Sequence, residues 1–252
     1  MFDLKNVTFL IPYRYDSPDR LRNLNACVSY LNANLDTNII IMEEAPERTF
    51  FNEGKFVYQF NKNPDPLLHR TRMLNDMCKM ARTPIIALMD TDVFLIPSQM
   101  WDAQQLIRSN QFDMVYPYDG RFNNYVEPQL AQIISTNSLD GLTAENGHQI
   151  HHNSLGGCIM FNKEKFIEGG MENQNHMSWG WEDNCRVHRF SKLGYRINRI
   201  PGIIYHLNHA SSTNSANTSH DAYHNNQREF MKVANMSKDQ LLQYVSTWPW
   251  NK

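Results

Sequence analysis

Three short stretches of this 252-residue chain concentrate side chains that could do chemistry: Asp90-Thr91-Asp92, Trp179-Gly180-Trp181-Glu182-Asp183-Asn184 and Tyr205-His206-Leu207-Asn208-His209. In the first, two carboxylates follow the apolar run Ile85 to Met89, and an extended backbone would point both the same way. Like charges that close stay ionised at low cost when a cation lies between them, and hard divalent ions are the usual partner of paired oxygens. In the second stretch, tryptophans flanking a glycine give a flat aromatic wall beside two adjacent acids. Such a surface suits a sugar ring, whose CH faces stack and whose hydroxyls need acceptors. In the third, His206 near a strand end could complete a carboxylate metal site, with His209 three residues on as the alternative. A mixed oxygen and nitrogen set suits manganese at least as well as magnesium. Arg70 and Arg72, in H-R-T-R-M-L-N, could bind phosphate, although at that spacing on a helix both cannot readily face one ligand.

Each stretch also has a plain structural account. Aspartate after a strand is an ordinary turn or capping residue, acids in the first turn of a helix are favoured by its dipole, and tryptophans serve cores. The elements that carry these residues are what separates the two accounts.

Val7 to Ile11 is a β-rich run ending at Pro12, and Ser17-Pro18 starts a helix whose Leu21, Leu24, Val28 and Leu31 recur at helical spacing. Asn38 to Met42 is a second buried strand, ending in Glu43 and Glu44. The segment from His69 reads as a helix with Met73, Leu74, Met77 and Met80 on one face, and the Asp90 strand follows. Alternating strands and helices argue an α/β fold with a mostly parallel, doubly wound, Rossmann-like sheet and helices on both faces. In such sheets ligands bind beyond the carboxyl ends of the strands, so Pro12 to Arg14, Glu43 and Asp90 to Asp92 share one edge.

A helix from about Ser98 and a strand over Phe112 to Tyr118 come next. Residues 119 to about 153 lose periodicity and read as loops over the binding face. Gly156 to Asn162 supplies a strand, Lys163 to Glu168 a helix stopped by Gly169, Glu182 onward a helix ending at Gly194, and Ile203 to Leu207 a strand. Asn208 to His220 is rich in Ser and Asn and reads as mobile; two amphipathic helices finish the chain. The whole forms one domain over 1–252, with a donor-binding half to about 118, an acceptor-binding half over 119–207, and a mobile loop with helices over 208–252.

A formal net charge of −2 leaves no overall electrostatic footprint for nucleic acid. No run approaches the roughly 18 apolar residues of a membrane span, and no basic n-region opens the chain. Cys27, Cys78, Cys158 and Cys185 lie far apart among apolar neighbours, so they read as reduced, buried residues of a cytoplasmic protein rather than zinc ligands.

The ordered set I-P-Y-R, H-R-T-R-M-L-N, M-D-T-D-V-F, G-G-C-I-M-F-N, W-G-W-E-D and P-G-I-I-Y-H resembles the inverting GT-A glycosyltransferases. It is most similar to the galactosyltransferase C-terminal domain family and to the transferase domains of bacterial chondroitin polymerase, from about Val7 to His206. The resemblance implies a UDP-sugar donor, Mn2+ or Mg2+, and a glycan or glycoconjugate acceptor. It implies that Pro12, Arg14 and Arg70 line the nucleotide pocket, and the sheet topology adds Glu43 at the same edge as a candidate for nucleotide binding. Asp90 would lie near ribose or metal, and Asp92 and His206 would bind the ion. Asp183 would be the catalytic base, with Trp179, Trp181 and Glu182 at the acceptor. Where the family often has W-G-G-E-D, Trp181 replaces the second glycine, and Asn184 stands where some members carry another acid.

Three other functions fit parts of the pattern. A haloacid-dehalogenase-type phosphatase would use Asp90 as nucleophile, a non-catalytic carbohydrate-binding module would use the Trp and Asn surfaces alone, and a related transferase would act on modified DNA.

Overall fold

The structure, a computed structural model, describes residues 1–210 and 220–251. Strand β1 (Phe2–Tyr13) leads into helix α1 (Pro18–Asn34), where the Ser17 side chain accepts from the Arg20 amide and Pro18 occupies the first turn. Strands β2 (Leu35–Ala45) and β3 (Val57–Lys62) follow, then α2 (Arg70–Met80). Helix α2 buries Met73, Leu74 and Met77 as their spacing requires, but Met80, at the helix end, is exposed. Strand β4 (Ile85–Met89) is buried at all five positions. Fully burying an aliphatic side chain stabilises by about 1.5–3 kcal/mol, which fixes this strand at the sheet centre.

The remaining elements are β5 (Val93–Phe94), α3 (Pro97–Arg108), β6 (Met114–Tyr116), β7 (Phe122–Tyr125), α4 (Gln129–Thr136) and β8 (His148–His151). After them come β9 (Cys158–Asn162), α5 (Lys163–Glu168), α6 (Glu182–Leu193), β10 (Ile197–Arg199), β11 (Ile204–Leu207), α7 (His220–Asn235) and α8 (Lys238–Ser246). The larger sheet runs β10-β6-β9-β4-β1-β2-β3, parallel throughout except that β9 is antiparallel to both neighbours. A mostly parallel doubly wound sheet is therefore what the chain builds, with one reversed strand in its middle.

The stretch from 119 to 153 is not only loop. It supplies β7 and β8 to a second sheet, β5-β11-β7-β8. Periodicity hides these strands because each has only four residues and β7 carries adjacent asparagines; Asn123 is buried and donates to the Ala144 carbonyl (3.1 Å) instead of packing. Helices α7 and α8 close the chain against α6 through a small core of Cys185, Val233, Leu241, Val245 and Trp248. All four cysteines are free and buried. Residues 211–219, within the stretch expected to be mobile, lie outside the described residues. Among the described residues no helix is long and apolar enough to cross a membrane.

Candidate active site

Beyond the carboxyl ends of β1 and β4 an open cleft of about 280 Å³ is lined by Pro12, Arg14, Arg70, Asp90, Asp92, Trp179, Glu182, Asp183 and His206. With His209, which also lines it, ten of the residues singled out by sequence thus meet in one place, although they span most of the chain. Glu43, Arg72 and Trp181 do not line it.

The D-T-D carboxylates do not act as a pair. Strand β4 ends at Met89, and residues 90–92 form a turn rather than an extended segment, so the side chains diverge. Asp90 accepts from Arg70 Nη2 (2.7 Å), while Asp92 turns toward Arg20, His206 and His209. Asp92, His206 and His209 form a group whose ligand atoms lie within 4.8 Å of one another, the one such group found among the described residues; Asp90 is outside it. The sequence left His206 and His209 as alternatives, and the structure brings both to Asp92.

The backbone sets that meeting. Strand β11 runs antiparallel to β5 with His206 opposite Val93, and the Leu207 amide donates to the Asp92 carbonyl (2.8 Å). From α1, Asn23 Nδ2 donates to the Leu207 carbonyl (3.0 Å) and Arg22 to that of Asn208 (3.0 Å), clamping the segment from behind. Asn124 Oδ1 lies 2.7 Å from His206 Nδ1, and the Ala210 carbonyl 2.9 Å from His209 Nδ1. Assigning the Nδ1 protons to those acceptors leaves both Nε2 atoms facing Asp92, at 3.7 and 3.3 Å. One carboxylate and two oriented imidazoles fit a divalent ion such as manganese.

Electrostatics agree with that fit. Burial would raise the Asp92 carboxyl, but His206, His209 and Arg20 outweigh it and hold it well below the usual carboxylate range. Burial pushes His206 down, toward the neutral form a metal needs, whereas the hydrogen bond to Asp92 pushes His209 up. Arg20, whose Nη1 is 2.6 Å from Asp92 Oδ2, went unnoticed in the sequence because nothing in P-D-R marks it.

Arg70 opens α2 at the cleft. Its Nη1 is buried without a hydrogen-bond partner, an orphan donor suited to an anionic ligand. Arg72 points elsewhere, to Glu44 (2.6 Å), as two arginines at that spacing must.

Glu182 and Asp183 begin α6. The loop before them is anchored from two sides: Thr71 of α2 donates to the His176 carbonyl (2.9 Å), and Asn226 of α7 pairs with both backbone groups of Met177 (3.0 and 2.8 Å). Burial, followed by the charge of Asp183, pushes the Glu182 carboxyl up to about 7. A second recess, of about 310 Å³, is lined by Trp179, Trp181, Glu182, Asp183, Asn184 and Tyr223. The acids therefore stand where two recesses join.

Trp181 occupies the second recess rather than the cleft. Its φ of +69° is a backbone position that a glycine would adopt without strain, and its ring stacks on Phe230 of α7 (centroids 5.3 Å apart). That packing offsets the strain and ties the loop to the C-terminal helices. Trp179 is exposed and stacks beside Tyr223 at 6.2 Å.

Glu43 is a structural residue. It is fully buried and accepts from the amides of Thr49 (2.8 Å) and Phe50 (3.1 Å) and the hydroxyls of Thr49 and Tyr58 (both 2.5 Å). The sheet edge was read correctly, but the chain after β2 folds back over this carboxylate. Glu43→Ala is expected to lower unfolding free energy by about 2–4 kcal/mol by orphaning those donors, while UDP affinity with manganese stays unchanged. Urea melts and calorimetry check both; weakened UDP binding at unchanged stability would return Glu43 to the ligand site.

A family model described as the N-terminal domain of galactosyltransferase matches residues 142–211, the span holding W-G-W-E-D and both cluster histidines. No curated protein matches the chain. Among solved structures, the catalytic domain of Drosophila beta1,4-galactosyltransferase 7 in complex with xylobiose is similar at 14% identity, covering 95% of this chain and 84% of that one, with a TM-score of 0.52. A mutant of the same Drosophila enzyme, in complex with manganese, UDP-Gal and xylobiose, is similar at 13% identity over 85% of this chain and 69% of that one, with a TM-score of 0.49. The fold is the GT-A type of that Drosophila catalytic domain, and the galactosyltransferase family model matches the stretch 142–211.

Proposed function

We propose that this chain is a metal-dependent inverting glycosyltransferase, moving a sugar from a UDP-sugar to a hydroxyl of a glycan or glycoconjugate. The observation that carries the reading is the position of Asp183: it lines both the cleft that holds Asp92, His206 and His209 and the neighbouring aromatic recess. A donor in the cleft and an acceptor in the recess would meet at this carboxylate. The partial galactosyltransferase match and the fold point to the same class of reaction.

Asp92, His206 and His209 would hold the divalent ion, which when bound supplies positive charge against the departing diphosphate. Arg70 offers its unpartnered Nη1 to the same anion, and Pro12 and Arg14 wall the nucleotide side. In the recess, Trp179 presents an exposed ring face to the acceptor sugar. Glu182, whose carboxyl burial pushes up to about 7, carries its proton in part of the population at neutral pH, and in that form it can donate a hydrogen bond there. Asp183 accepts the proton of the acceptor hydroxyl as its oxygen forms the new bond to the anomeric carbon. The bond from that carbon to the diphosphate breaks on the opposite face, UDP leaves with the electron pair, and the configuration inverts.

A panel of nucleotide sugars, assayed with and without manganese and scored by UDP release, tests the reading. Release is expected from one UDP-sugar, dependent on the metal and accelerated by a saccharide acceptor. No release from any donor would overturn it. Release without saccharide dependence, but stimulated by hydroxymethylated DNA, would move the acceptor to nucleic acid.

A further inference from the structure

We propose that Arg186 and Glu172 are positioning residues for Asp183, fixing one carboxylate oxygen so that the other alone faces the acceptor, and that Gly156 leaves the space this second oxygen occupies. The inference rests on Asp183 being the base. Arg186 follows Asp183 by three residues on α6, and its side chain is completely buried. Its Nε and Nη2 engage both oxygens of buried Glu172 (2.6 and 3.0 Å), and its Nη1 donates to Asp183 Oδ1 (2.6 Å). Glu172 is itself fixed to the scaffold: its amide donates to Asn75 Oδ1 (2.8 Å), and Asn75 Nδ2 donates to its carbonyl (2.9 Å). Asn75 belongs to α2, the helix that also presents Arg70. One rigid helix thereby sets both the cationic group of the cleft and, through Glu172 and Arg186, the rotation of the base.

The arrangement separates the two oxygens of Asp183. Oδ1 is held by a charge-assisted bond, whereas no hydrogen bond reaches Oδ2 among the described residues. Glu172 and Asp183 share the one guanidinium, Glu172 engaging Nε and Nη2 and Asp183 only Nη1. Opposite Oδ2 stands Gly156, the residue before the β9 approach, where an added Cβ would lie 2.5 Å from that oxygen. The clash would be with the free end of a side chain, and Gly156 has no left-handed backbone requirement, so alanine there is compatible with the fold. The side chain of Asp183 is 28% exposed while those of Arg186 and Glu172 are sealed, so solvent and acceptor reach the base and not its support.

The test uses the full chain, manganese and the UDP-sugar that the panel selects, with UDP affinity measured separately by calorimetry. Gly156→Ala is expected to lower kcat by about a hundredfold, the loss that a misplaced reacting group brings, with donor KM and UDP affinity within about twofold of the original. Arg186→Gln is expected to do the same wherever the protein remains folded; Gly156→Ala decides if the two disagree or if Arg186→Gln does not fold. An unchanged kcat in Gly156→Ala overturns the proposal. So does a fall in kcat matched by an equal loss of UDP affinity, which assigns these residues to the walls of the cleft. Wild-type turnover in Asp183→Asn is a different failure, because it removes the base and the reading beneath the proposal.

Discussion

Asp183→Asn is expected to reduce turnover by about 10²–10⁴-fold, the range a positioned general base contributes, while leaving UDP and manganese affinity within about twofold. The substitution preserves shape. The amide oxygen can still accept from Arg186 Nη1 in place of Oδ1, so Arg186 and Glu172 stay satisfied. What changes is the other atom: an NH2 donor replaces Oδ2 at the junction of the two recesses, where an acceptor is required. Single-turnover measurements of sugar transfer, set beside calorimetry of UDP binding, separate chemistry from affinity. A variant with normal turnover would remove Asp183 from the role, and one with weakened UDP binding would place it on the donor side of the cleft.

Asp92→Ala is expected to reduce metal-dependent activity by at least about 100-fold, since even partners of a metal ligand commonly cost 10–100-fold when lost. Chelation of the unaltered protein should have the same effect, reversed by added manganese. The variant leaves Arg20 and His209 facing a gap where their carboxylate stood, so excess metal should not restore it. A manganese titration of UDP release compares the two directly. Wild-type turnover in Asp92→Ala would take the ion away from this cluster altogether.

The alternation of buried strands and helices was legible because the strands at the large sheet's centre carry mostly apolar runs, and β4 is apolar at every position. The shared sheet edge followed from topology, and it gathers residues from Pro12 to His206 into one cleft. What the sequence hid was of two kinds. Short polar strands such as β7 carry no period to detect, so the second sheet was read as loop. Direction was hidden as well: Asp90 and Asp92 share a face only on an extended backbone, and the turn at 90–92 sends one to Arg70 and the other to two histidines. The surroundings of Glu43 were hidden likewise, since no pattern reveals that Thr49, Phe50 and Tyr58 converge on it. Tyr223 meets the site only through the packing of α7, which no sequence neighbour signals, whereas Arg186 lies three residues after Asp183 on α6, a helical spacing that does bring the pair together.

The pairing of β11 with β5 carries a consequence for how such a site can change over time. Main-chain bonds hold position 206 opposite position 93 and tie residue 207 to residue 92, whatever side chains those positions bear. The ion-binding geometry is therefore inherited from the backbone, and the ligand atoms are replaceable fittings upon it. A substitution at 206 therefore changes the ligand atom and leaves the frame that positions it in place.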